Sequence, residues 1–158
     1  MSRYYAGVTM PLIATDKIVK DLEKAGALAM RVPPEGGYEG RYQLRLKNAG
    51  YDILFITARG LGDVNSYLTG VHGVRPSHLG KTEIRTYFIP PAIQMRLNAL
   101  PAKSKGLVVW LIEGKYLSQE ELETLSQIPD RDPRVKIVIE VGSDRQVSWQ
   151  PLKQATAA

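Results

Sequence analysis

Ile18, Val19, Leu22 and Ala25 recur at helical spacing behind Thr15 and Asp16, which supply a cap and a first-turn acid, and Gly26 stands where a left-handed stop is needed. The next run, Ala27 to Val32, is short and apolar, and Pro33 and Pro34 close it. It predicts a strand. Gly36, Gly37 and Gly40 then form a turn into a second helix, with Tyr38, Tyr42, Leu46 and Ala49 on one face and Gly50 as its stop. Tyr51 to Ala58 is rich in β-formers and reads as a second strand.

The middle of the chain carries weaker periodicity. Asp63 to Thr69 predicts a short helix, and Gly70 to Gly80, with two histidines, a proline and three glycines, predicts a loop. Thr82 to Ile89 reads as a strand ended by Pro90 and Pro91, the second of which suits the first turn of a helix. Beyond it, Leu107 to Ile112 is nearly continuous in apolar residues, the pattern of a strand covered on both faces. Ser118 and Glu121 have capping-box spacing, and Leu117 and Leu122 bracket them as a hydrophobic staple, so a helix is expected to about Ile128. Val135 to Val141 predicts another buried strand, and Val147 to Leu152 a last edge strand carrying Trp149.

Helices alternating with apolar strands predict an α/β fold: one layered domain over residues 1–158, with a mainly parallel or mixed sheet flanked by helices and an extended N-terminal segment over 1–14. Two helices end in Ala-Gly and run straight into strands, at Ala25-Gly26 and Ala49-Gly50, an echo that helix-stop chemistry explains without a duplication.

Composition narrows the chemistry. The 158 residues contain no cysteine, which excludes disulfides, thiolate nucleophiles and cysteine-ligated iron-sulfur clusters on this chain. The balance of 21 basic to 16 acidic residues, net +5, suits an acidic protein face, RNA or an acidic membrane surface. No stretch approaches the roughly 18 consecutive apolar residues of a membrane span. Thr9 and Pro11 interrupt the one segment near the start that resembles a secretory signal, and no Arg- and Ser-rich transit segment is expected.

Several motifs begin like nucleotide or metal sites and then fail. Gly60-Leu61-Gly62 lies between a predicted strand and helix, but Asn65 stands where the third small residue of a dinucleotide fingerprint belongs. Gly80-Lys81-Thr82 ends like a P-loop, but Arg75 occupies the position of its first glycine, and a strand rather than a helix follows. His72 and His78 lack metal-ligand spacing. Ser66, Ser77 and Ser104 lack a nucleophile elbow. Glu35 and Glu39 flank the glycine turn beside Arg41 and Arg45, as surface charge near a helix start does.

Arg41 and Arg45 stand four apart on the helix face opposite its tyrosines, with Lys47 nearby, and form a patch for an acidic partner. The basic and histidine side chains of the middle segment, Arg59, His72, Arg75 and His78, join them as candidate partner contacts. An alternative reading is a small basic RNA-binding module that uses this arginine face with Tyr4, Tyr5, Tyr38 and Tyr42 for stacking, although no RNA-binding signature accompanies them.

One further pattern bears on identity. The runs Pro34-Glu35-Gly36-Gly37-Tyr38-Glu39-Gly40-Arg41-Tyr42, Ala58-Arg59-Gly60-Leu61-Gly62-Asp63 and Tyr67-Leu68-Thr69-Gly70-Val71-His72-Gly73-Val74-Arg75-Pro76 are distinctive. Downstream follow Lys105-Gly106-Leu107-Val108-Val109-Trp110, Ile112-Glu113-Gly114 and Trp149-Gln150-Pro151-Leu152-Lys153. Together they resemble the subunit N family of the NAD(P)H-quinone oxidoreductases of cyanobacteria and chloroplasts, photosynthetic relatives of respiratory complex I. The resemblance covers nearly the whole chain and departs in the first dozen residues and around Glu83 to Thr86. It implies an accessory subunit of the peripheral arm, at the cytoplasmic face of the thylakoid membrane, in a complex that passes electrons from NAD(P)H or ferredoxin to plastoquinone and pumps protons. It implies no catalytic or cofactor site on this chain: the iron-sulfur clusters, electron donor and plastoquinone are expected on partner subunits, and no nucleic acid is expected. With no transit segment, a cyanobacterial rather than a nuclear-encoded plant version is expected.

Overall fold

The computed structural model describes residues 16–59, 72–74, 87–89 and 92–156. In chain order the elements are α1 (residues 16–25), β1 (Ala27–Val32), α2 (Glu39–Asn48), β2 (Tyr51–Thr57), β3 (His72–Val74), β4 (Tyr87–Ile89) and α3 (Ala92–Asn98). They continue with β5 (Gly106–Ile112), a 3-10 turn (Gly114–Tyr116), α4 (Gln119–Arg131), β6 (Val135–Ser143), β7 (Ser148–Pro151) and α5 (Leu152–Thr156).

Five strands form one sheet in the order β2-β5-β6-β1-β7. The first four are parallel, and β7 pairs antiparallel with β1. Because side chains alternate across a strand, each continuous apolar run feeds two cores at once. Ala27, Ala29, Leu107, Val109, Leu111, Ile137 and Ile139 meet Ile93 and Leu97 of α3, Leu125 and Ile128 of α4 and Leu152 of α5. Leu28, Met30, Val108, Trp110 and Val138 point the other way, onto Ile18, Val19 and Leu22 of α1 and Tyr42 and Leu46 of α2. Full burial of one such aliphatic side chain contributes roughly 1.5–3 kcal/mol, so both helical layers are held by the same strands. The result is the α/β layered fold with a mixed sheet that the alternation predicts.

Glycines let elements approach where a side chain would collide. Gly26 ends α1 at φ 81°, and a Cβ there would lie 2.9 Å from Pro129 Cβ, so the helix stop is also the seat for a proline of α4. Gly106, at φ 147°, starts β5 against the Arg134 carbonyl, which a Cβ would meet at 2.1 Å.

Three expectations change. The helix expected to end near Ile128 runs to Arg131 with Pro129 inside it. A proline lacks the N–H that would bond the carbonyl of Leu125, but this close to the helix end only one bond is forfeited, and its ring is buried. Tyr38 is not part of the core: it precedes α2 and is 38% exposed, whereas Tyr42 and Leu46 are buried as expected. The stretch expected to be a loop contains β3, which pairs antiparallel with β4 from His72↔Ile89 to Val74↔Tyr87. Its glycines dilute the strand pattern, yet its backbone amides and carbonyls find partners in a ladder. Of the strand expected over Thr82 to Ile89, Tyr87–Ile89 is described. The helix expected at Asp63 to Thr69 lies outside the described residues, as do the Gly60-Leu61-Gly62 and Gly80-Lys81-Thr82 motifs.

Candidate interaction surfaces and family

The first surface is the outer face of α2. Glu39 in its first turn and Arg45 and Lys47 in its last complement the helix dipole. Arg41 is exposed and has no ion-pair partner among the described residues. Arg45 differs. Its Nε donates to Asp16 Oδ1 at the start of α1, so this cation is already engaged within the chain. The sequence could not show this pair, because it is the fold that brings the carboxylate of α1 to Arg45. On the inner side of the same helix, Tyr42 packs edge-on to Trp149 of β7 with ring centroids 5.8 Å apart. Trp149 Nε1 donates to Asp21 of α1 at 2.8 Å. Burial pushes the Tyr42 hydroxyl pKa up, with the nearby Arg41 charge opposing the shift.

The second surface lies at the carboxyl ends of β2 and β5, where parallel sheets commonly place binding groups. β2 ends in Thr57, whose Oγ1 donates to Glu113 Oε1 at 3.1 Å and accepts from the Arg59 amide at 3.3 Å. The Arg59 guanidinium stands 4.0 Å from Glu113 Oε2 and 5.5 Å from the centroid of the Tyr116 ring. Lys115 Nζ stands 5.4 Å from the same ring. Glu113 itself adopts a left-handed backbone, φ 58° and ψ 38°, and is the only non-glycine residue with positive φ among the described residues. Such a conformation costs of order 1–3 kcal/mol and persists only where its surroundings enforce it. They do so here through Gly114, where a Cβ would lie 2.5 Å from Ile139 Cγ2 and 2.7 Å from the Glu140 carbonyl. The turn that follows β5 is thus clamped to β6, and it projects Tyr116 outward.

Of the residues expected to meet partners, Arg59 joins this corner, while Arg41 and Arg45 lie on α2. His72 falls in β3, and Arg75 and His78 lie outside the described residues. Glu113, Lys115 and Tyr116 were not anticipated from sequence. The available signal was an acidic residue before a glycine directly after a strand, which leaves the left-handed turn unstated. Ser104, which lacks a nucleophile elbow, has its hydroxyl 3.3 Å from the Gly50 carbonyl and 3.2 Å from that of Gly106, where it ties the starts of β2 and β5.

Among the described residues, no group of three or more His, Asp or Glu is arranged to hold a metal ion. No helix among them is long and apolar enough to cross a membrane. A shallow groove between α4 and α5 is lined by polar and charged side chains, including Gln127, Asp130 and Lys153, with a 2.6 Å bond from Lys153 to Asp130.

A family model described as NADH-quinone oxidoreductase cyanobacterial subunit N matches residues 10–154. The chain is 55% identical over 157 residues to the NAD(P)H-quinone oxidoreductase subunit N of a Cyanothece species, covering 94% of this chain and 99% of that protein. It is 54% identical over 149 residues to the protein of the same name from Thermosynechococcus vestitus, with the same coverage. The Nostoc punctiforme protein of that name is also 54% identical, over 157 residues. Since the match runs through both helical layers, the whole sheet and the glycine-rich segment after β2, the chain belongs to the family of the cyanobacterial NADH-quinone oxidoreductase subunit N.

Proposed function

We propose that this chain is an accessory subunit of the peripheral arm of a proton-pumping NAD(P)H- or ferredoxin-plastoquinone oxidoreductase, held at the cytoplasmic face of the thylakoid membrane by contacts with other subunits. The observation that carries the reading is the near full-length match to proteins named subunit N of NAD(P)H-quinone oxidoreductase. The chemistry of the sequence supports it: with no cysteine, the chain offers no thiolate for an iron-sulfur cluster, and its glycine motifs lack the residues that complete a nucleotide site. The clusters, electron donor and plastoquinone then sit on partner subunits, and this chain contributes structure and contacts.

The test is native electrophoresis of mild-detergent membrane extracts from cells carrying a tagged chain, followed by mass spectrometry of what the tag retains. Migration with a large quinone-reducing complex is expected, with partial release from membranes at high salt as polar contacts are screened. The purified chain is expected to be free of iron and unable to oxidise NADPH. Migration only as a free small protein, or stoichiometric iron in the purified chain, would overturn the reading.

A further inference from the structure

The corner beyond β5 presents an aromatic side chain that neither core uses. Tyr116 is 51% exposed and contributes to neither core, yet the turn that presents it is fixed by a left-handed Glu113 and a glycine wedged against β6. Two cations, Arg59 and Lys115, stand within 5.5 Å of its ring centroid. Among the described residues, the one carboxylate that faces them is Glu113, loosely placed at 4.0 Å from Arg59 while its other oxygen is held by Thr57. A guanidinium carries five N–H donors, so most of those on Arg59, whose side chain is 69% exposed, remain available to a second acceptor.

We propose that Arg59, Lys115 and Tyr116 form a preorganised platform on which an acidic segment of another subunit docks. Its carboxylates would meet the two cations while the aliphatic part of the segment lies on the tyrosine ring. Among the described residues, the local balance of two cations to one carboxylate selects an acidic partner. Tyr116 and the Arg59 side chain are both more than half exposed, which suits a protein segment better than a small ligand, whose sites bury most of it. Tyrosine and arginine are the side chains that most often dominate protein interfaces, and a rigid turn lowers the ordering cost of docking. This inference rests on the subunit reading above and deepens it by naming a contact surface.

The experiment places tagged full-length chains in cells that lack their own copy and measures the fraction retained in the large complex as salt is raised. Tyr116→Ala and the double reversal Arg59→Glu with Lys115→Glu are expected to lower retention at least tenfold at moderate salt. Tyr116→Phe keeps the ring and is expected to behave as wild type, as is the reversal Lys103→Glu, an exposed residue before β5 at the opposite end of that strand. Circular dichroism checks that each variant folds. A photo-crosslinking amino acid at position 116 is expected to capture a peptide rich in Asp or Glu from another subunit. Wild-type chain absent from any large complex would overturn the subunit reading and this inference with it. Wild-type chain in the complex with the folded Tyr116→Ala and double-reversal variants retained equally would overturn this inference alone, as would a crosslinked peptide without acidic residues.

Discussion

Trp110 Nε1 donates to Glu140 Oε2 at 2.6 Å, joining β5 to β6 through side chains on the sheet face that α1 and α2 cover. Trp110 is fully buried, so Glu140 is the group that satisfies its indole N–H. Replacing Trp110 by Phe removes the donor and leaves a partly buried carboxylate short of a partner. The expected loss of stability is about 2–3 kcal/mol, read from urea denaturation followed by circular dichroism.

The same carboxylate gives a pH dependence. Burial pushes the Glu140 pKa up, the Trp110 bond opposes that shift, and the nearby Glu39 charge adds to it. A folded-state pKa above the unfolded value means that the contribution of this group is fully present below the ordinary glutamate range. It is lost as pH rises through the raised folded value. Glu140→Gln keeps an acceptor for Trp110 and removes the charge. The stability difference between Gln variant and wild type is therefore expected to grow in favour of the variant as pH climbs through that window. A difference that stays flat across the window would show that Glu140 does not titrate abnormally.

Gly106→Ala tests the close approach at the start of β5. The substitution meets a positive φ and a carbonyl 2.1 Å from the new Cβ, so the strand must shift away from Arg134. A loss of at least about 2 kcal/mol is expected from strain at this backbone position, measured by thermal unfolding. Unchanged stability would mean that β5 relaxes freely at its first residue.

Ser118 accepts from the Glu121 amide at 3.1 Å, and Glu121 Oε1 accepts from the Ser118 amide at 2.9 Å, the two bonds of the capping box that starts α4. Ser118→Ala is expected to cost about 1 kcal/mol, and Ser118→Asp, which keeps an acceptor at the cap, much less. Denaturant midpoints of the two variants decide it.

On α2, Arg41→Glu and Arg45→Glu separate two roles. Reversing Arg41 removes an exposed cation without an ion-pair partner among the described residues, so folding is unchanged and retention in the complex falls if this face meets an acidic partner. Reversing Arg45 sets a carboxylate against Asp16. Because both side chains are substantially exposed, the direct cost to folding is expected to stay under about 1 kcal/mol. Equal assembly of the two folded variants with wild type would identify the face as solvated.

Much of the fold is written locally. The alternation of Ile18, Val19 and Leu22, the Gly26 and Gly50 stops, the continuous run from Leu107 and the Ser118 box each specify an element through interactions within a few residues, and each element forms where its pattern lies. The sheet order and its antiparallel edge at β7 are not local properties. They follow from which strands bury one another, a choice made by packing across the chain.

The interaction surfaces divide along the same line. Sequence by itself determined the residue types: no cysteine for a cluster, incomplete glycine motifs, and arginines at positions 41, 45 and 59. Only the tertiary structure decided their partners. Asp16 reaches Arg45 across 29 residues, and Thr57 reaches Glu113 across 56. Tyr116 stands beside Arg59 because β2 and β5 are neighbours in the sheet. Charge and polarity are properties of single side chains and can be read one by one. Ion pairs and ring contacts depend on distances that the chain acquires only when its strands pair, so they became visible with the fold.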